Sequence, residues 1–184
     1  MAFLTEEQLK EMSFKHLGKH VKISDKASIY DAEKISIGDY SRIDDFCVVS
    51  GEVTIGKHVH FAVFNNVAGG SEGIVFEDYT GLAYGCHVFS QSDDYSGRTM
   101  TNPTIPNQYK NVKKARIIIK KHAILGANSL VFPGVIIEEG CSFGAMSLIT
   151  KSTNPWTIYA GAPAKPIKER SKDLLTLQQK FEEK

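Results

Sequence analysis

Apolar residues return every six positions through most of this chain. Ile23 and Ile29 open the series. After a shift of two residues it continues as Ile37, Ile43, Val49, Ile55, Phe61 and Val67, and after a shift of three as Phe76, Leu82 and Val88. It resumes as Ile119, Leu125, Val131, Ile137, Phe143 and Ile149. The position four residues after each is mostly small: Ala27, Ser41, Cys47, Thr80, Cys86, Ser92, Ala123, Ser129, Cys141 and Ser147. Gly or Ala often follows directly, as at Gly38, Gly56, Ala62, Ala83, Gly126 and Gly144. This period is neither that of an amphipathic helix nor the strict alternation of a half-buried strand. It predicts a prism of short parallel strands, in which each strand makes one flat side and a tight turn makes the corner. The large residue points inward, and the small one fits the narrow corner where bulk would clash. Three such units close a coil, and coils stack at the ordinary strand spacing of about 4.8 Å. Neighbouring coils then stabilise one another through continuous apolar ladders. Counted on three sides, Ile37, Ile55, Phe76, Ile119 and Ile137 share one face.

Between Val88 and Ile119 the period stops. This stretch holds Asp93, Asp94, Gly97, Asn102, Pro103, Pro106 and Asn107, which are turn and loop residues. A long aperiodic loop, about 90–116, inside a regular solenoid is usually functional. The flanks read as helical. Thr5-Glu6-Glu7-Gln8 is a capping box that opens a short helix within residues 1–20. From about Lys168, Leu174, Leu175, Leu177 and Phe181 recur at helical spacing. They predict an amphipathic helix over 167–184, packed on the prism or on a neighbouring subunit. The prism itself is expected over 21–166, and residues 1–184 are read as a single domain.

Composition narrows the function classes. The net charge of +1 gives no broad electrostatic footprint for nucleic acid. The apolar runs are too short for a membrane span, and no signal peptide opens the chain. Cys47, Cys86 and Cys141 all occupy the small corner position, which predicts buried, reduced thiols and suits the cytoplasm. No metal-ligand spacing is present, so no metal site is expected.

Three segments carry a resemblance: Ile124-Leu125-Gly126-Ala127-Asn128-Ser129-Leu130-Val131-Phe132-Pro133-Gly134-Val135, Phe143-Gly144-Ala145-Met146-Ser147-Leu148-Ile149, and Tyr159-Ala160-Gly161-Ala162-Pro163-Ala164-Lys165. Together and in phase they resemble the hexapeptide-repeat acyltransferases, over roughly Val21 to Lys168. The resemblance implies an all-β fold, a left-handed parallel β-helix with one long protruding loop and short terminal helices. It implies acetyl-CoA, or another acyl-CoA, as co-substrate and assembly as a homotrimer. The chain looks most similar to the short sugar O- or N-acetyltransferases of bacterial surface-polysaccharide pathways, such as those of lipopolysaccharide biosynthesis.

Acyl transfer from a thioester needs a route for the acceptor's proton and a held donor. In the family the base is commonly a His near the start of the loop. Here that place holds Asp93 and Asp94. Either an Asp acts as base with a pKa raised by burial and its acidic neighbour, or the acceptor is an amine that needs less help. The second reading is preferred, with an Asp positioning the amine and accepting its proton. His87, outward on the strand before the loop and one rung from Asn66, is the further candidate base. His58 and His60 read as exposed or interface residues, and His16, His20 and His122 as surface residues. By resemblance CoA lies against the last coils. Gly126, Ala127, Gly144 and Ala145 would allow close approach of its amide-like arm. Lys151, Lys165, Lys168 and Arg170, with Lys165 and Ala162 in the closing motif, are candidates at the phosphates. Lys113, Lys114 and Arg116 lie at the loop's return. Trp156 and Tyr159 are expected to pack near the C-terminal helix. The expected function is acylation of a nucleotide-linked amino sugar. The alternatives are O-acetylation of a galactoside-like or glycan hydroxyl, acetylation of a xenobiotic or small amino acid, and a β-helix scaffold without catalysis.

Overall fold

The computed structural model describes residues 2–183. The periodic chain winds into a three-sided parallel solenoid. The first face stacks His16–Leu17, Ile35–Ile37, Val53–Ile55, Ile74–Phe76, Ile117–Ile119 and Ile136–Ile137. The third stacks Ser28–Ile29, Val48–Ser50, Asn66–Ala68, His87–Phe89, Leu130–Val131 and Leu148–Ile149. The second runs from Lys22–Ile23 through Arg42–Ile43, His60–Phe61, Gly81–Leu82, Ile124–Leu125 and Ser142–Phe143 to Thr157–Ala160, then ends on Lys165–Glu169.

The registers are those that the period predicts. Ile37, Ile55, Phe76, Ile119 and Ile137 are consecutive partners on the first face. Ile43, Phe61, Leu82, Leu125 and Phe143 align on the second, and Val49, Val67, Val88, Val131 and Ile149 on the third. All are buried and form one continuous core. The small corner residues are held as the pattern requires. Ser41 Oγ donates to the Gly56 carbonyl, 2.7 Å, and accepts from the Val59 amide, 3.0 Å. Cys47, Cys86 and Cys141 are buried free thiols. Burial pushes the Cys47 thiol up to about 11 and raises the other two.

Two features differ from the sequence expectation. The N-terminal helix α1 (Glu6–Glu11) does begin at the Thr5 capping box, but His16–Leu17 already pairs with the first face. At the other end, helix α2 spans Asp173–Glu182. The segment in front of it is a strand, Lys165–Glu169, antiparallel to Thr157–Ala160. Turning the chain back caps the last open edge, which would otherwise offer unpaired amides and carbonyls.

Candidate active site

The aperiodic stretch is an ordered excursion with a stem. Gln91–Ser92 pairs antiparallel with Lys113–Lys114, so the chain leaves and returns beside itself. Within the loop both aspartates are engaged. Asp94 accepts from the Ser96 amide, 2.8 Å, and from the Thr99 hydroxyl, 3.3 Å. Asp93 accepts from the Asn102 amide, 3.0 Å. Asn102 caps Thr104 at 2.9 Å, and Lys110 donates to the Asn102 carbonyl at 3.0 Å. The expectation of a raised Asp pKa does not hold for Asp94. Hydrogen bonds from the Ser96 hydroxyl and then the Ser96 amide hold its carboxyl below the usual carboxylate range. A cavity of about 300 Å³ lies at the loop base, lined by Gln91, Ser92, Asp93, Pro103, Asn107, Lys110, Val112 and Lys114.

His87 stands exposed on the third face between Asn66 and Leu130. Among the described residues no hydrogen bond or ion pair joins it to either aspartate. The structure thus places Asp93 in the groove, Asp94 within the loop turn and His87 on the flat face beside the stem.

The small residues of the C-terminal coils divide into two kinds. Gly126 is small because the next coil is against it: a Cβ there would lie 2.6 Å from the Ala145 amide nitrogen and 2.6 Å from the Phe143 carbonyl. Gly144 is tight against Ala160 at 3.1 Å. Ala127 and Ala145 instead lie at an accessible corner. Lys151, Ala162, Lys165 and Lys168 are exposed around the closing strands. Arg170 is tied to the backbone through one nitrogen. Its Nη1 donates to the carbonyls of His122, Gly140 and Cys141 at 2.8, 3.0 and 3.3 Å.

An aromatic column along one corner is the feature that residue-by-residue reading missed. His20, Tyr40, His58, Tyr79 and His122 stack face to face with ring centroids 4.8, 5.0, 5.1 and 5.3 Å apart. Each takes the left-handed backbone conformation that its turn requires. Trp156 continues the column over Gly140, 6.2 Å from His122. His122 is therefore not the surface residue expected; it is 7% exposed. Helix α2 leans on this column. Gln178 meets His122 at 2.7 Å, Glu182 accepts from the Tyr79 hydroxyl at 2.7 Å, and Phe181 packs edge-on to His58. His60 pairs with the buried Asp44 at 2.9 Å. Tyr159 is buried against Phe143, and its hydroxyl accepts from the Asn154 amide, 2.8 Å.

No family model matches the chain. Its relatives are nonetheless clear. It is 44% identical over 184 residues to an Escherichia coli dTDP-4-amino-4,6-dideoxy-D-glucose acyltransferase, covering 98% of this chain and 95% of that one. The chain belongs to the hexapeptide-repeat sugar acyltransferases. This acyltransferase also superposes on AntD, an N-acyltransferase from Bacillus cereus solved with dTDP and 3-hydroxybutyryl-CoA, with a TM-score of 0.97 and 46% identity. That match covers 98% of this chain and 96% of AntD. An AntD variant with a serine replaced by alanine has been solved with dTDP-4-amino-4,6-dideoxyglucose and coenzyme A, and one with an aspartate replaced by asparagine with dTDP and coenzyme A. A maltose O-acetyltransferase from Clostridium difficile 630, 17% identical with a TM-score of 0.58, shares the fold alone. Among the acyltransferase's described residues, no group of three or more His, Cys, Asp or Glu could hold a metal ion. Nor is any helix long and apolar enough to cross a membrane.

Proposed function

We propose that this enzyme transfers an acyl group from acyl-CoA to the amino group of a dTDP-linked 4-amino-4,6-dideoxy sugar. The observation that carries the reading is the nearly end-to-end match to AntD, a serine-to-alanine variant of which has been solved with dTDP-4-amino-4,6-dideoxyglucose and coenzyme A. The loop chemistry agrees with it. An amine is nucleophilic once neutral, so a carboxylate suffices where a hydroxyl acceptor would need a stronger base. The aspartate varied in AntD falls at the same count along that chain as Asp94 does here.

In this reading Asp94, ionised at neutral pH, draws and orients the amino group. The amine nitrogen bonds to the thioester carbonyl carbon and the carbon–sulfur bond breaks. The amine proton passes to the Asp94 carboxylate and from there to the departing CoA thiolate, so that CoA leaves as the thiol and Asp94 is ionised again. Asp93 shapes the loop base, and His87 lines the approach. The donor lies along Ala127 and Ala145, which the close packing at Gly126 and Gly144 leaves as the accessible surface of these coils, with Lys151, Ala162 and Lys165 near its phosphates. The reading places the enzyme in the cytoplasm, a reducing compartment that suits three buried free thiols. The product, an amide still carried on dTDP, is an activated donor for cell-surface glycans.

Three copies assembled about a common axis complete the reading. Phe46 and Phe64, stacked at 5.1 Å yet 51% and 59% exposed, share a corner with Met146, 67% exposed. Such a patch calls for a partner. The deciding experiment follows CoA thiol release from acetyl-CoA, with dTDP-4-amino-4,6-dideoxyglucose run beside its 4-hydroxyl counterpart. Turnover confined to the amine establishes the reading. Turnover with the hydroxyl sugar alone overturns it in favour of O-acetylation. Loss of both turnover and CoA binding revives a scaffold.

A further inference from the structure

We infer that Tyr84 limits the size of the acyl group that this enzyme accepts. The inference rests on the acyl-CoA reading above and extends it to donor selectivity. Strand register fixes where Tyr84 stands. Leu82, Leu125 and Phe143 are direct partners in successive coils. The residues two further on, Tyr84, Ala127 and Ala145, therefore form one column at the corner. Backbone bonds confirm this: the Asn128 amide donates to the Tyr84 carbonyl and the Met146 amide to the Ala127 carbonyl, each at 2.8 Å.

The column changes character abruptly along its length. In the two C-terminal coils it is alanine, so nothing longer than a methyl group stands out from this column. At Tyr84 a phenol ring, 63% exposed, stands out from the corner where the alanines present a methyl group. Beyond it, the neighbouring column carries the stacked rings of Phe64 and Phe46. Toward the C-terminus this column offers only methyl groups, and at Tyr84 and the rings beside it the corner becomes aromatic.

The direction of the donor follows from charge and topology. Cations for the CoA phosphates are at the C-terminal end, in Lys151 and Lys165. The loop with Asp94 grows from the coil that contains Tyr84, because Gly81–Leu82 and His87–Phe89 are its last two sides before the stem. A donor that reaches from these lysines toward Asp94 crosses the Ala145 and Ala127 coils and brings its thioester to the Tyr84 coil. The path is about three coil spacings of 4.8 Å, comparable with the extended pantetheine arm. The acyl chain then points at the Tyr84 ring. An acetyl group stops short of it, and a longer chain meets it.

The test compares kcat/KM for acetyl-, butyryl- and hexanoyl-CoA in the natural enzyme and in Tyr84→Phe, Tyr84→Ser and Tyr84→Trp. Saturating dTDP-4-amino-4,6-dideoxyglucose is the acceptor. The natural enzyme should favour acetyl- over butyryl-CoA by about tenfold or more, the discrimination that one or two methylenes can supply. Tyr84→Phe should keep that ratio, because ring size sets it. Tyr84→Ser should shift the ratio toward butyryl-CoA by about tenfold with the dissociation constant of free CoA unchanged, and Tyr84→Trp should tighten it. Equal ratios in all four active proteins would overturn the inference. So would a shift in Tyr84→Phe as large as in Tyr84→Ser, which would make the hydroxyl the determinant. Absence of turnover with every donor in the natural enzyme would instead defeat the acyltransferase reading on which this one rests.

Discussion

At the scale of single residues, Asp94 and Gly126 separate chemistry from packing. Ser96 and Thr99 donate to Asp94 and hold its carboxyl below the usual carboxylate range, so it is ionised throughout the neutral range. It can attract and deprotonate an amine without waiting for a basic limb near neutrality. Asp94→Asn keeps the shape and loses the charge. Steady-state turnover is expected to fall by about 10²-fold or more, while calorimetry of CoA binding stays near its natural value. Near-native turnover would shift the role of base to His87. Gly126 answers differently. A methyl group there would sit 2.6 Å from two backbone atoms of the next coil, and backbone cannot yield as a flexible side chain can. Gly126→Ala is expected to cost about 1–3 kcal/mol, read as a lowered Tm, whereas Ala145→Gly at the accessible corner should change Tm little. An unchanged Tm with weakened CoA binding in Gly126→Ala would mean that the residue is small for the ligand, not for the coil.

The elements show why some of this was legible in the sequence and some was not. Each face is a ladder of aliphatic residues at a fixed spacing, so Ile37, Ile55 and Phe76 could be aligned before any coordinates. The aromatic column was also written in the chain, with His20, Tyr40, His58 and Tyr79 about one coil apart. Taken one at a time, though, His20 and His122 read as surface residues, and only His122, 7% exposed, is buried in the stack. The sequence assigns Lys165 to the prism and residues from 167 onward to the helix, yet Lys165–Glu169 forms one strand. That strand depends on pairing with Thr157–Ala160, a contact without periodic signature. The loop aspartates were found as candidates, but their partners Ser96, Thr99 and Asn102 were not, since an aperiodic segment gives no register to count from. The column also makes α2 sensitive to pH. Burial holds the His122 pKa below its ordinary value, opposed by the bond to Gln178; Lys121 and Arg170 also disfavour the charge and Glu139 favours it. The folded state therefore binds this proton less readily than the unfolded chain. The stability from neutral His122 is full above the unfolded value of 6.5 and declines as pH falls below it toward the depressed folded value. His122→Phe keeps a ring in the stack and removes the titration. Between pH 7.5 and 5 its Tm should fall less than that of the natural protein. Parallel Tm profiles would show that His122 does not couple protonation to the fold.

For the molecule as a whole, the solenoid has dealt with its two ends but not with its sides. The N-terminal coil is covered by α1, whose Leu9 joins the core, and the C-terminal edge is closed by the antiparallel return of Lys165–Glu169. The corner with Phe46, Phe64, Tyr84 and Met146 remains open. A monomer would leave these groups in water, where each buried ring is worth on the order of 1.5–3 kcal/mol. Association through this corner would bury them and set the alanine column beside a neighbouring subunit, whose loop could then cover the donor. Three chains of 20.4 kDa should sediment together as a species of about 61 kDa. Phe46→Glu combined with Phe64→Glu places like charges in the patch and should give a species of 20.4 kDa that retains its coils by circular dichroism. If the site is completed by a neighbour's loop, this monomer should also lose turnover although its own Asp94 and Lys165 are untouched. A variant that still sediments as the larger species would place the contact on another face. A monomer with full turnover would show that one chain holds a complete site, and that the corner serves stability alone.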